Sequence, residues 1–416
     1  MTRAEAIEFD VAIVGGGPVG AALACLLART PGWNAPRIAL LDREFPGELE
    51  SPRSDLRVSA LSRASERILR AAGAWTAIAP VRLSPYERMR VWSADADPRG
   101  PDALCFDAAE IGEPDLGHIA ENDAVQRALL QSFRALGGTL LVGKVARLAF
   151  DDASATLDTG DARWRARLVV GADGARSAVR DLAGLAADTG DYGQLALVAN
   201  VRSAQPHERT AWQRFLGHGT LALLPLANGE CSIVWSLPIA DAQRLQSADV
   251  AQFERELTDA SAGVIGMLQL ASLRSTFPLR RLAAAQYAIE RCVLVGDAAH
   301  VVHPLAGQGV NLGLMDAAVL ADALSAARRL REDPGALGVL RRYERSRRAE
   351  NELMLTAIDT FNRMLAFGGD PLSRLAQRGV GQVNRMAWFK RLFVEQALGV
   401  AGDLPTAAQR QRSDSG

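Results

Sequence analysis

The sequence predicts an α/β fold: a Rossmann-like framework interrupted by an inserted, mainly antiparallel β-sheet and closed by a helical C-terminus. Three observations carry that reading. The chain opens with a strand, a glycine turn and a helix: the apolar run Phe9–Val14, then GGGPVG, then AALACLLAR. Its middle holds a cluster of alternating strand-like runs. Two of these are separated by Asn228-Gly229, a strong hairpin signal because both residue types tolerate positive φ. Short buried-strand runs then return as RLVVG (167–171) and RCVLV (291–295), each leading into a turn that carries glycine and aspartate.

Taken in order, residues 37–42 form a second strand ending on Asp42, so the chain begins with one βαβ unit. Residues 87–93 alternate as a strand does. Residues 195–202, 212–226 and 230–237 are expected as strands of the inserted sheet. From Val310 the pattern is helical, arginine-rich and amphipathic to about residue 400, and the polar end reads as disordered. The expected division is a discontinuous cofactor domain (1–80, 119–185 and 289–330), a β-sheet substrate domain (81–118 and 186–288), a helical region (331–400) and a disordered tail (401–416).

Composition narrows the class. At 416 residues the chain exceeds one typical domain, and 48% hydrophobic content with 37 glycines fits a large α/β core. The net charge of -1 gives no reason to expect nucleic acid. Of the 47 basic residues, Lys144 and Lys390 are the lysines and the rest are arginine. The four cysteines are scattered without CxxC spacing, as suits thiols in a reducing compartment. The start MTRAEAIEFD has no apolar core of a signal peptide, and no uninterrupted apolar run reaches the roughly 18 residues of a membrane span. A cytoplasmic location is expected, with peripheral membrane association left open.

Gly15-x-Gly17-x-x-Gly20 needs its glycines for separate reasons. Gly15 makes the tight turn, Gly17 lets the backbone approach a pyrophosphate, and Gly20 lets helix and strand pack closely. The helix start adds amide donors and a positive dipole end. Asp42 is placed to accept from ribose hydroxyls, and Arg43 beside it is counted with the site. The pattern alone does not separate FAD from NAD.

GGGPVG, GADGARSAVR (171–180) and GDAAHVVHPLAGQGVNLG (296–313) together resemble the single-component FAD-dependent aromatic hydroxylases, the group A flavoprotein monooxygenases. That resemblance implies FAD as cofactor, with the first motif on its ADP half. It also implies that Asp173 and Gly174 hold FAD and assist nicotinamide use, and that Asp297 binds the ribityl chain. Gly307 belongs to the same flavin loop. Amides of Gly309, Val310 and Asn311, opening a helix, would face the flavin's pyrimidine edge and stabilise negative charge there. DLRVSALSRASERIL (55–69), LGHIAEN (116–122) and HPLAGQGVNLGLMDAA look like the ubiquinone-biosynthesis hydroxylases. Within that set, ALVANVR, CSIVWSLP and RRYERSRR most resemble enzymes acting at ring position 6 of 2-polyprenylphenol. By matching position, Arg57 and Gln126 would contact FAD and Pro304 would lie over the substrate side of the flavin.

The implied reaction inserts one atom of O2 into an electron-rich phenol through a flavin C4a-hydroperoxide, with NAD(P)H as the electron donor. Apolar runs 221–226 and 232–237 are the expected pocket wall for a polyprenyl tail. His303 is the candidate catalytic histidine. A supporting structural role for it and for His300 stays open, and their spacing without a third ligand argues against a metal. His118 reads as an interior histidine; His207 and His218 read as loop residues; Trp212 and Trp235 read as sheet packing. The runs ARRLRED, RRYERSRR and VNRMAWFKRLF fit either a solvated helix face or a surface for a partner or a membrane. Partners to consider are a quinone-biosynthesis assembly and a second copy of the chain. The alternatives are hydroxylation of another aromatic, a flavin reductase acting on a prenyl chain, and a non-catalytic flavin-fold subunit.

Overall fold

The structure is a computed structural model, and it describes residues 8–47, 56–303, 309–366 and 404–410. Its first sheet is built on Phe9–Val14, buried at every position, with Arg163–Gly171 and Ile38–Asp42 parallel on either side. Cys292–Leu294 and Thr139–Val142 continue the parallel order outward. The hairpin of Arg147–Phe150 and Ala155–Asp158 folds back along the long strand 163–171. Strands covered on both faces must be apolar throughout, which is why RLVVG and RCVLV read as continuous runs rather than alternating ones.

Eight described helices surround the sheets: α1 (Pro18–Arg29), α2 (Arg63–Ala71), α3 (Asn122–Ala135), α4 (Ala178–Leu182), α5 (Ile239–Ser247), α6 (Val250–Ala260), α7 (Gly309–Arg329) and α8 (Leu337–Ala366). Pro18 at the first position of α1 presets the helical φ where no amide bond is lost. The buried stripe of α1 packs on α3 and α7. At Gly313 of α7 a Cβ would come within 2.5 Å of Val19, so glycine permits the close α1–α7 approach. α7 is long and apolar enough to cross a bilayer, but 61% of its most apolar stretch is buried inside the protein, as in a core helix.

The second sheet has nine strands. From one edge it runs His300–Val301, Ser275–Ala284, Ala187–Ser203, Cys231–Pro238, Gly219–Pro225, Thr210–Leu216, Arg88–Ser93 and Leu104–Asp107, with Leu268–Leu270 beside the long strand 187–203. The Asn228-Gly229 hairpin forms as expected, with Gly229 at φ +84°. The single strand expected over 212–226 is instead two, reversing at Gly217-His218. Gly219 makes the tight return feasible, since a Cβ there would lie 2.0 Å from Ser236 O. An apolar pattern that continues through the reversal hides it from sequence. A small third sheet joins Val58–Ser62, Gly117–Glu121 and Leu83–Tyr86.

The tail departs from expectation. Disorder was expected from residue 401, yet Leu404 to Arg410 pack onto α2 and α7. Ala408 is wholly buried, Thr406 N–H donates to Asp322 Oδ2 at 2.7 Å, and Arg410 pairs with Glu113 at 3.0 Å. A polar composition missed the apolar residues Leu404, Ala407 and Ala408, which dock on existing helices instead of forming their own core. The VNRMAWFKRLF run and the helical expectation for 367–400 lie outside the described residues.

Candidate active site

Three glycine turns meet at one edge of the first sheet. Gly15, Ala172-Asp173 and Gly296-Asp297 each follow the C-terminal end of one of three neighbouring parallel strands, 9–14, 163–171 and 292–294. That edge is where ligands bind in open α/β sheets. Neighbouring strands lie about 4.8 Å apart, so turns distant in sequence become adjacent in space.

A cavity of about 650 Å³ opens between the first two turns and the end of strand 38–42. Gly15, Gly17, Asp42, Arg43, Asp173 and Gly174 all line it. The glycines behave as their assigned reasons demand. Gly15 sits at φ +112°, and a Cβ there would meet Ala172 O at 2.2 Å. At Gly20 a Cβ would meet Gly15 O at 2.0 Å, so helix and turn touch. At Gly17 a Cβ would meet nothing within 4 Å. The space in front of Gly17 is what a pyrophosphate approaching the helix start requires. Asp42 Oδ2 accepts from Gly16 N–H at 2.6 Å, so this carboxylate braces the glycine turn besides lining the cavity. Gln126 Nε2 donates to Gly16 O at 2.8 Å and holds the same turn from α3. Arg57 lies just before strand 58–62, where its carbonyl accepts from Asn122 N–H at the start of α3.

The Asp173 carboxylate accepts from Ser177 Oγ–H at 2.5 Å and from Ala178 N–H at 2.7 Å, capping the turn into α4. Gly174 beside it takes φ +81°. Arg180, nearly buried, donates to Ala175 O and Ala298 O at 3.1 and 3.2 Å. It therefore clips the second turn to the third.

The third turn is held from behind by Asp316, on α7 and wholly buried. Its Oδ2 accepts from Gly296 N–H at 3.0 Å and lies 2.5 Å from His300 Nε2. Its Oδ1 accepts from Arg347 Nε at 2.8 Å and Asn351 Nδ2 at 3.2 Å, both on α8. Burial works to raise this carboxyl, but the charges and hydrogen bonds of His300 and Arg347 hold it well below the usual carboxylate range. His300 is thus a structural partner of Asp316. Asp297, in the same turn, is exposed. Loss of solvation pushes its carboxyl up, His300 opposes the rise and Asp316 adds to it.

The FAD binding domain family matches residues 8–357. The chain belongs to this family. Among curated relatives, it is 38% identical to the ubiquinone hydroxylase UbiL of Rhodospirillum rubrum, over 94% of this chain and 89% of that protein. It is 34% identical to the 3-demethoxyubiquinol 3-hydroxylase of Escherichia coli K12, over 94% and 98%. Among solved structures, the p-nitrophenol 4-monooxygenase PnpA of Pseudomonas putida superposes with a TM-score of 0.74 at 21% identity, covering 95% of this chain and 99% of that one, and so shares the fold.

FAD fits the residues present. The cavity adds Lys144 and Arg176 to Arg43, cations suited to an anionic pyrophosphate, while the two acids facing them already accept backbone amides. Sequence reading missed Lys144 and Arg176. A lysine two residues past strand 139–142, the parallel neighbour of 38–42, was the available signal. Gly309 opens α7, and among the described residues nothing beyond its own helix lies within 4 Å of where its Cβ would be. The Asn311 side chain is otherwise engaged: it accepts from Ser62 N–H and Ser65 Oγ–H and donates to Ala60 O, pinning α7 to α2 and strand 58–62. Pro304 and Gly307 lie outside the described residues.

His303 is 1% exposed, and its ring nitrogens have no hydrogen-bond partner among the described residues. Burial pulls it down to about 4, so it is neutral at neutral pH, with Tyr192 edge-on at 5.0 Å. The runs expected as a pocket wall divide between the two faces of the second sheet. Strand residues alternate faces, so Leu221, Leu223, Ile233 and Trp235 pack in the cluster that includes α5 and α6 residues. The opposite face presents Ala222, Leu224 and Val234, which group with Val58, Tyr86 and Met89. His118 was expected as an ordinary interior histidine, but its Nδ1 lacks a hydrogen bond and lies 3.6 and 3.8 Å from Glu66 and Asp115. Arg63 lies between those carboxylates, 2.5 Å from one and 3.1 Å from the other, so the cluster is an ion-pair network.

Proposed function

We propose that this chain is an FAD-dependent monooxygenase that hydroxylates the aromatic ring of a polyprenylphenol intermediate in ubiquinone biosynthesis. The observation carrying this reading is the joint between the two large sheets. The GDAAH turn leaves the cofactor edge of the first sheet and becomes His300–Val301, which pairs with Leu282 and Ala283 at the edge of the second. A flavin held at the first sheet would therefore face the apolar side of the second. We assign the first sheet and its helices to the cofactor half and the nine-stranded sheet to the substrate half.

When bound, FAD supplies the chemistry that activates O2. The chain's own residues then have definite tasks. Gly15, Gly17, Arg43, Lys144 and Arg176 bind the pyrophosphate end, and Asp297 takes the ribityl hydroxyls. Ala222, Leu224 and Val234 seat the ring and tail and exclude water. Neutral His303 offers a ring nitrogen to the substrate hydroxyl and draws its proton toward a phenolate-like form, which directs reaction to the ortho carbon. NAD(P)H is the proposed electron donor.

Deleting the gene in a host without a second such hydroxylase tests the reading. The expected result is accumulation of a polyprenylphenol intermediate short of one ring oxygen, whose structure also reports the ring position; position 6 is the expectation from ALVANVR, CSIVWSLP and RRYERSRR. Normal quinone with no such intermediate overturns it. Bleaching of the bound flavin by NADPH under anaerobic stopped flow tests the donor.

A further inference from the structure

The first sheet has a second cavity, of about 580 Å³, at its other edge. Asp10 near the start of strand 9–14, Arg37 just before strand 38–42 and Arg167 line it, with Trp33, Arg328, Arg331 and Glu332. Five residue steps of strand, about 16 Å, separate Asp10 from Gly15 in the cofactor turn. Whatever binds here is out of reach of the flavin chemistry.

Three guanidinium groups converge on Asp10, which is 5% exposed: Arg37 at 3.2 Å, Arg167 at 3.6 Å and Arg328 at 3.6 Å. Arg331 adds a fourth and has no ion-pair partner among the described residues. The second acid, Glu332, pairs outward with Arg342 at 2.7 Å. Four cations against two anions leave the lining at +2. Side chains of Arg37, Arg167 and Arg328 are 38 to 46% exposed, so an entering ligand can reach them.

Backbone strain points independently to the same place. α7 ends in a Schellman motif: Glu332 N–H donates to Ala327 O, and Arg331 N–H to Arg328 O. The residue at the left-handed position of that motif is usually glycine. Here it is Arg331, at φ +57°. A residue with a long cationic side chain is held in an unfavourable backbone conformation in the lining of a cationic cavity, and such strain tends to mark functional positions. The neighbouring Leu330 is 67% exposed.

We propose that this cavity is a binding site for a phosphate dianion, carried either by a soluble phosphate compound or by an anionic lipid headgroup. The +2 lining matches one phosphate monoester, guanidinium groups bind phosphate oxygens in paired hydrogen bonds, and Leu330 flanked by arginines suits the lipid source.

Arg331→Gly is the decisive variant, because glycine relieves the strained position while removing the charge. FAD-loaded full-length protein would be titrated with inorganic phosphate and pyrophosphate at constant ionic strength, followed by thermal shift and calorimetry. Parallel sedimentation would use vesicles of phosphatidylcholine with and without phosphatidic acid. Saturable phosphate binding weakened about tenfold or more in Arg331→Gly, with flavin content unchanged and melting temperature equal or higher, supports a soluble ligand. Sedimentation that requires phosphatidic acid and is lost in the variant supports the lipid source. No binding of either probe by the native chain overturns the proposal, as does binding that Arg331→Gly and Arg167→Ala both leave intact.

Discussion

Replacing Asp316 with alanine should do more damage to the fold than any single change in the cofactor cavity itself. The substitution removes the acceptor for four groups at once: Gly296 N–H, His300, Arg347 Nε and Asn351 Nδ2. Arg347 is the severe loss, since its side chain is 3% exposed and Asp316 is its buried counter-ion. Breaking a buried pair from one side destabilises by about 3–5 kcal/mol, because the remaining charge stays desolvated. Typical total stability is about 5–15 kcal/mol, so the variant should fold marginally. The effect should also reach the site, because Gly296 N–H anchors the turn that carries Asp297. Urea unfolding followed by tryptophan fluorescence reads the stability, and flavin absorbance per protein reads the site. The Arg347→Met change and the Asp316→Ala/Arg347→Met pair complete a double-mutant cycle, in which the double variant should lose clearly less than the sum of the singles. Additive losses, or an Asp316→Ala loss below about 1 kcal/mol with full flavin, would refute the role given to Asp316.

Other outcomes follow from single positions. Gly17→Val should leave the melting temperature of flavin-free protein nearly unchanged, because its side chain enters open space, yet abolish FAD retention; full flavin occupancy would contradict the cavity assignment. Asp297→Ala should weaken FAD retention by about 10- to 100-fold, the loss of one charge-assisted hydrogen bond or two, and unchanged flavin content after dialysis would count against a ribityl contact. His303, pulled from 6.5 down to about 4, stays neutral in the folded chain while the unfolded chain protonates first. Its contribution to stability is therefore complete above about pH 6.5 and drains away as pH falls to about 4, by about 3 kcal/mol in all. His303→Gln should flatten that part of the stability–pH curve and lower turnover at unchanged flavin content; a curve of unchanged slope would show that His303 is not buried as a neutral ring.

The cofactor turn was legible because its requirements are local. Gly15 needs a positive φ, Gly20 needs a missing Cβ against a neighbouring carbonyl, and Asp42 must end the second strand; a sequence states each directly. The alternate-face packing of 221–226, the reversal at Gly217-His218 and the docked tail were not legible, because an apolar run does not say which face, which partner or which direction it will take. Asn311 and Gln126 show the same division within single residues. The resemblance implied that both serve the cofactor, but that their amides would brace α2 and the Gly16 carbonyl depended on elements brought together from across the chain.

By itself, then, the sequence determined that a nucleotide-binding βαβ unit opens this chain, since backbone conformation and close approach are properties of short segments; that its turn and the two glycine–aspartate turns serve one cofactor is what the family resemblance implies. Only the tertiary structure decided what keeps those turns in register. Asp316, Arg180 and the two-residue strand at His300 act across separations of 16 to 118 residues, and a buried charge can be recognised as a partner only when the opposite charge and the low-dielectric surroundings are both in place.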